Sequence, residues 1–152
     1  MLDQKPAYSY RSDATVPDFD DTGVIVFMDG ECAICTRGAR IISAMDKKGV
    51  FKICPTQSAL GQAVLTHYGL SVDDPDTWLY LEDGDAYSSL DAIIRAGNRL
   101  GGVGRLINVF AIFPRPVQDW LYRRLARNRY WLFGRTDMCA VPDEKLRARL
   151  IQ

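Results

Sequence analysis

The chain has 152 residues, 47% of them hydrophobic and 25% charged, with Lys+Arg and Asp+Glu equal at 19 each. That length supports one domain with its own core and no need of a disulfide scaffold, and zero net charge argues against a general nucleic-acid or membrane-surface binder. The balance is uneven, however: from Gly104 onward ten Lys/Arg face four Asp/Glu, leaving nine against fifteen before it. A basic C-terminal third on an acidic body reads as a solvated face or a partner surface.

The first stretch, "MLDQKPAYSYRSDATVPDFDDTG", is polar, acidic and interrupted by Pro6 and Pro17. It has neither the charged start nor the apolar run of a secretory signal, and residues 1–21 read as a loosely ordered arm. No apolar run approaches the roughly 18 residues of a membrane span. The expected location is the cytoplasm, where a close cysteine pair is more often catalytic or metal-binding than a structural staple.

"GVIVFM" (23–28) is β-branched and apolar throughout, as in a parallel strand covered on both faces. Cys35, Ala39, Ile42 and Met45 then recur at helical spacing, with Gly49 as a stop. "VFKIC" (50–54) predicts a second strand ended by Pro55, and Ser58 caps a helix carrying Leu60, Val64 and Tyr68. "TWLYLEDGDAYS" (77–88) predicts a hairpin turning at Asp83–Gly84. A helix follows, opened by a capping box from Ser88 to Asp91, with Leu90, Ile93, Ile94 and Gly97 on one face. The order is β-α-β-α-β-β-α in residues 22–103: an α/β, thioredoxin-like domain with a mixed four-stranded sheet. Residues 104–152 read as a helical extension of the same domain. It has an apolar segment "RLINVFAIF" stopped at Pro114 and a helix with Val117, Trp120, Leu121, Leu125 and Asn128 on one side. A last helix is opened by Pro142.

Within "MDGECAIC" (28–35) two thiols sit three apart, directly after the first strand. At a helix start the first sulfur meets unpartnered N–H groups and the positive end of the helix dipole, which favour thiolate, the nucleophilic form. Cys32 is thus the expected nucleophile and Cys35, one turn on, the resolving thiol. The first is expected to be the more exposed, the second shielded by the helix and higher in pKa. Asp29 accepts a proton or pins the loop through backbone N–H groups; beside the thiol its charge opposes ionisation.

Other readings of the pair stay open. A structural zinc site needs four ligands, and the remaining candidates, Cys54, Cys139 and His67, are scattered. A metal-binding or carrier protein is therefore one alternative. A non-catalytic interaction module using a basic helical face at Arg123, Arg124, Arg127 and Arg129 is another; an acidic partner or anionic lipid would suit that face. Cys54 reads as a small hydrophobe. Cys139, in "GRTDMCAVP", reads either as packed beneath the extension or as an electron relay. His67 is expected at the surface, and Trp120, Tyr130 and Trp131 in the core or at the seam with the extension.

"VIVFMDGECAIC" (24–35), "YSSLDAII" (87–94) and "NRYWLFGRTDMCAVP" (128–142) together resemble the DCC family of predicted thiol-disulfide oxidoreductases, a likeness spanning residues 23–150. The resemblance implies a thioredoxin-like fold and dithiol chemistry at Cys32 and Cys35. It also makes Asp29, Gly30, Asn128, Arg129 and Cys139 motif positions. Thioredoxin-like proteins usually carry a cis-proline beside the dithiol, whereas Pro75 precedes the hairpin by two residues. Gln57 and Thr77 are candidate polar neighbours. The function expected is disulfide exchange with a protein or small-molecule thiol or disulfide, regenerated by a cellular reductant, with no organic cofactor and no metal.

Overall fold

The computed structural model describes residues 2–71, 78–140 and 143–151. Pro75, Thr77 and Pro142 lie outside the described residues. The sheet has the order β2-β1-β3-β4. Strand β1 (Val24–Met28) runs parallel to β2 (Phe51–Pro55) and antiparallel to β3 (Leu79–Glu82), which turns back into β4 (Asp85–Ser88). This is the mixed four-stranded arrangement of a thioredoxin-like domain.

Every residue of β1 is buried because the sheet is covered on both faces. Alternate residues Val24, Val26 and Met28 meet Ala39 and Ile42 of α1 (Ala33–Met45) and Ala92 and Ala96 of α3 (Ser89–Leu100). Ile25 and Phe27 point the other way, onto Leu60, Val64 and Leu65 of α2 (Ala59–His67). The hairpin turns at Asp83 (φ 51°) and Gly84 (φ 82°), the pair of positive φ values that a type I′ turn requires. Ser58 caps α2 as expected, its Oγ accepting Gly61 N–H at 3.0 Å. Ser88 makes no such cap bond. It is still extended (φ −134°, ψ 174°) and paired with Leu79 as the last residue of β4, so its side chain does not turn back on the helix.

Residues 2–21, read from sequence as a loose arm, contribute Tyr10 and Val16 to the cluster beneath α2, with Phe19 packed against it. Tyr8 N–H donates to Gly84 O (3.1 Å), and Tyr10 Oη donates to Asp21 (2.7 Å). His67, expected at the surface, is only 8% exposed. The arm covers it: its Nδ1 lies 2.6 Å from Asp13 and its Nε2 2.9 Å from Ser9 Oγ.

Beyond α3 the chain forms an eleven-residue 3₁₀ segment, Gly102–Ile112, in place of a regular helix. Gly97 and Gly104 bring its start onto α3: a Cβ on Gly97 would sit 2.5 Å from Gly104 O, and one on Gly104 would sit 2.6 Å from Gly97 O. Helix α4 (Arg115–Phe133) follows. Its packing face is the reverse of the expected one, since Gln118, Ala126 and Arg129 are buried while Val117, Trp120, Leu121, Leu125 and Asn128 are exposed. The last helix, α5 (Glu144–Arg147), is capped by Asp143, which accepts from Lys145 and Leu146 N–H. Past it the chain pairs with the outer edge of β2 (Ile53 N to Arg149 O, 2.8 Å; Ile151 N to Ile53 O, 2.9 Å). Arg149 meanwhile binds buried Asp46 at 2.5 Å.

Candidate functional site

The site is built where β1 hands over to α1. Cys32 is the N-cap of α1, extended at φ −93° and ψ 123°, so its sulfur turns toward the first helical N–H groups. Cys35 N–H donates to Cys32 Sγ at 3.4 Å. The Cys32 thiol is brought down to about 6, first by the hydrogen bond from the Cys35 thiol and then by Cys35 N–H and the Arg129 charge. Burial and Asp29 act the other way on it. Cys35 is pushed up, because it donates to Cys32, is itself enclosed and faces the neighbouring negative charge. The pair is therefore split into a thiolate and a proton-holding thiol, as an attacking and a resolving group need.

Asp29 organises the loop behind the sulfurs. Its Oδ1 accepts Glu31 N–H (2.8 Å) and Gln57 Nε2 (2.7 Å), and Gln57 Oε1 in turn accepts Gly30 N–H (3.0 Å). Its Oδ2 takes Arg129 at 2.5 Å and the Tyr130 hydroxyl. Burial pushes the Asp29 carboxyl up, but the bonds from Tyr130, Glu31 and Gln57 and the Arg129 charge outweigh it, and the net shift is downward. Asp29 thus pins the loop, the second of its two expected roles, and stays ionised. Gly30 leaves room for this: a Cβ there would lie 3.2 Å from Gln57 Oε1.

The expected order of exposure is reversed. Cys32 is 0% exposed, whereas Cys35 is only partly enclosed. The cause is the segment after α4, which lies along the CxxC loop as an added strand. Ala33 N–H donates to Gly134 O (3.3 Å), Thr136 N–H to Glu31 O (2.9 Å) and Met138 N–H to Gly30 O (2.8 Å), and Cys32 bridges Arg135 antiparallel. Residues 134–138 thus form a strap along the backbone of the turn that carries the first sulfur. Cys35 opens instead into a cavity of about 390 Å³ lined by Ile34, Met45, Trp78, Ile107 and Leu125, with Arg129 at its wall.

The remaining expected positions divide. Arg129 and Gln57 join the site; Asn128 does not, being exposed with its amide donating to Arg124 O at 2.8 Å. Cys139, for which packing beneath the extension was one of two expected readings, is exposed, because its neighbour Met138 fills the core position. It lines a shallow groove with Gly30, Glu31 and Gln57. Cys54 is buried, as a small hydrophobe should be, with Sγ 3.3 Å from Ser58 Oγ. Trp120 and Trp131 are exposed, not core, and Tyr130 works as a hydroxyl donor to Asp29. Neither Tyr130 nor the strap was visible in the residue pattern. Gly134 (φ 79°), after a long helix and before the alternating "RTDM", is the one signal that could have shown the strap. Among the described residues no three His, Cys, Asp or Glu side chains come together in a way that could hold a metal ion.

A mixed four-stranded sheet with a split dithiol at the start of its first helix defines a thioredoxin-like protein with a paired-thiol centre. Residues 26–135 match the DCC1-like thiol-disulfide oxidoreductase family, and the chain belongs to that family. It is similar to the uncharacterized protein YuxK of Bacillus subtilis (strain 168), 32% identical over 127 residues that make up 84% of this chain and 93% of that protein. It is also similar to a chloroplastic DCC family protein of Arabidopsis thaliana, 28% identical over 121 residues, 79% of this chain and 70% of that one. No solved structure matches the chain.

Proposed function

We propose that the protein exchanges disulfides through Cys32 and Cys35, with Cys32 as nucleophile and Cys35 as resolving thiol. The observation that carries this reading is the geometry of the pair: Cys32 caps α1 with its Sγ accepting Cys35 N–H at 3.4 Å, which favours thiolate on Cys32 and leaves the proton on Cys35. The Cys32 thiolate attacks one sulfur of a substrate disulfide, forming a mixed disulfide while the other substrate sulfur leaves as thiolate and takes a proton from solvent. Cys35 then loses its proton and attacks Cys32 Sγ. The Cys32–Cys35 disulfide forms, the second substrate thiolate departs, and two electrons have passed to the substrate. A cellular thiol reductant returns the pair to the dithiol.

Because the strap pairs with the turn that carries Cys32, the first step follows opening of residues 134–138. Cys35 is reached without that step, from the apolar cavity, which gives a reductant a second approach to the oxidised pair. The test is a trapping experiment with a disulfide peptide and mass spectrometry. Cys35→Ser should accumulate a mixed disulfide on Cys32, and Cys32→Ser should accumulate none. If both variants reduce the substrate as fast as the parent chain, the reading is lost.

A further inference from the structure

The 3₁₀ segment and α4 each expose apolar side chains that none of the described residues covers. None of the eleven residues Gly102–Ile112 is buried, although the segment reads "GVGRLINVFAI". Val103 and Leu106 are each 72% exposed and Ile112 80%. On α4 the outward residues Val117, Leu121, Leu125 and Leu132 recur at spacings of four, four and seven, one continuous stripe of a helix. Beside that stripe run Trp120, Arg124, Arg127 and Trp131, all exposed, and Arg123 lies a further step round the helix, on the side away from the leucines. Residues 102–133 hold six arginines and a single acid, Asp119; Arg129 is buried against Asp29, which leaves five arginines at the surface.

We propose that this face seats the protein on the surface of an anionic lipid bilayer. The apolar side chains enter the boundary between headgroups and acyl chains, the two indoles sit at the headgroup level, and the arginines pair with lipid phosphates. The contact lies in the membrane plane: among the described residues no helix is long and apolar enough to cross a membrane. Charge decides the occupant. A second copy of this chain would bring arginine stripe against arginine stripe, and like charges repel. A folded acidic protein would have to set carboxylates against arginines interleaved with leucines and desolvate both charges. A bilayer imposes neither cost, because arginine stems lie along apolar surface while their heads reach the phosphates. The zero net charge of the chain conceals this face, because its acids lie mostly in the other two-thirds.

The test is co-sedimentation of the full chain with vesicles of phosphatidylcholine alone and of phosphatidylcholine doped with phosphatidylglycerol, with indole emission read in parallel. Binding should require the anionic lipid, weaken with salt and shift the emission to the blue. Arg123→Glu/Arg124→Glu/Arg127→Glu should weaken it by about 100-fold or more, from roughly fivefold for each arginine lost near a surface. Trp120→Ser/Trp131→Ser should abolish the blue shift and weaken binding at least about tenfold. All five positions are exposed and outside the dithiol site, so circular dichroism and the thiolate absorbance of Cys32 should be unchanged. Three results would each overturn the proposal: no binding to either vesicle, equal binding to both, or binding that survives both sets of changes. A dimer in analytical ultracentrifugation that the same changes dissociate would also overturn it, in favour of a second copy as the cover.

Discussion

Asp29 and Arg129 form a buried ion pair directly behind the thiols, and an ion pair of that kind is costly to break from one side. Arg129→Met should lower stability by about 3 kcal/mol in urea unfolding, because Asp29 keeps its charge without its cation. It should also raise the Cys32 pKa above the parent value of about 6, which thiolate absorbance against pH will read. The sign of the Asp29 contribution follows from its lowered pKa. Its stabilisation is complete above the unfolded value of about 4 and is lost as the pH falls through the lower native one. Parent protein should therefore lose stability below about pH 4 more steeply than Asp29→Asn, which a urea series across that range would show. The two sulfurs were legible in the sequence as a spacing after a strand. Arg129 was legible only as a motif position, and Tyr130 not at all, since a tyrosine amid Trp, Leu and Phe reads as packing. Nothing local reveals that a residue one hundred positions away will turn its polar end toward Asp29.

The strap pairs with the turn that carries Cys32, and in the proposed exchange it opens before the first step. It leaves α4 at Gly134, whose φ of 79° suits glycine and strains any other residue. Gly134→Val should cost about 1 kcal/mol of stability and loosen the strap. Pulsed iodoacetamide labelling with peptide mapping should then find Cys32 alkylated several-fold faster in the folded variant than in the parent. Equal rates would mean that the sulfur is reached some other way. Alkylation of the parent should rise with pH through about 6 and then level off. Strands and the first three helices were readable because their apolar residues alternate or recur against a sheet. The orientation of α4 was not. Its leucine stripe is the stronger pattern, yet the helix turns inward the face that carries Arg129, where the buried Asp29 carboxylate holds it.

For the whole molecule, the arm of residues 2–21 adds Tyr10 and Val16 to the core despite its polar composition. Tyr10 is almost fully enclosed beside Val64, Leu65 and Tyr68, with its hydroxyl on Asp21. Tyr10→Ala should cost about 3–5 kcal/mol and lower the thermal midpoint by roughly 10 °C in calorimetry. Composition hid this because few residues of the arm are apolar, and those few are the ones that pack. The glycine contact between α3 and the segment after it bears on the opposite side of the molecule. With no side chain between them, the backbones at Gly97 and Gly104 touch. A hydrophobic surface fastened that tightly at its root keeps one fixed shape in water before anything covers it. Widening the joint by one methyl, as in Gly97→Ala, would push the segment Gly102–Ile112 away from α3.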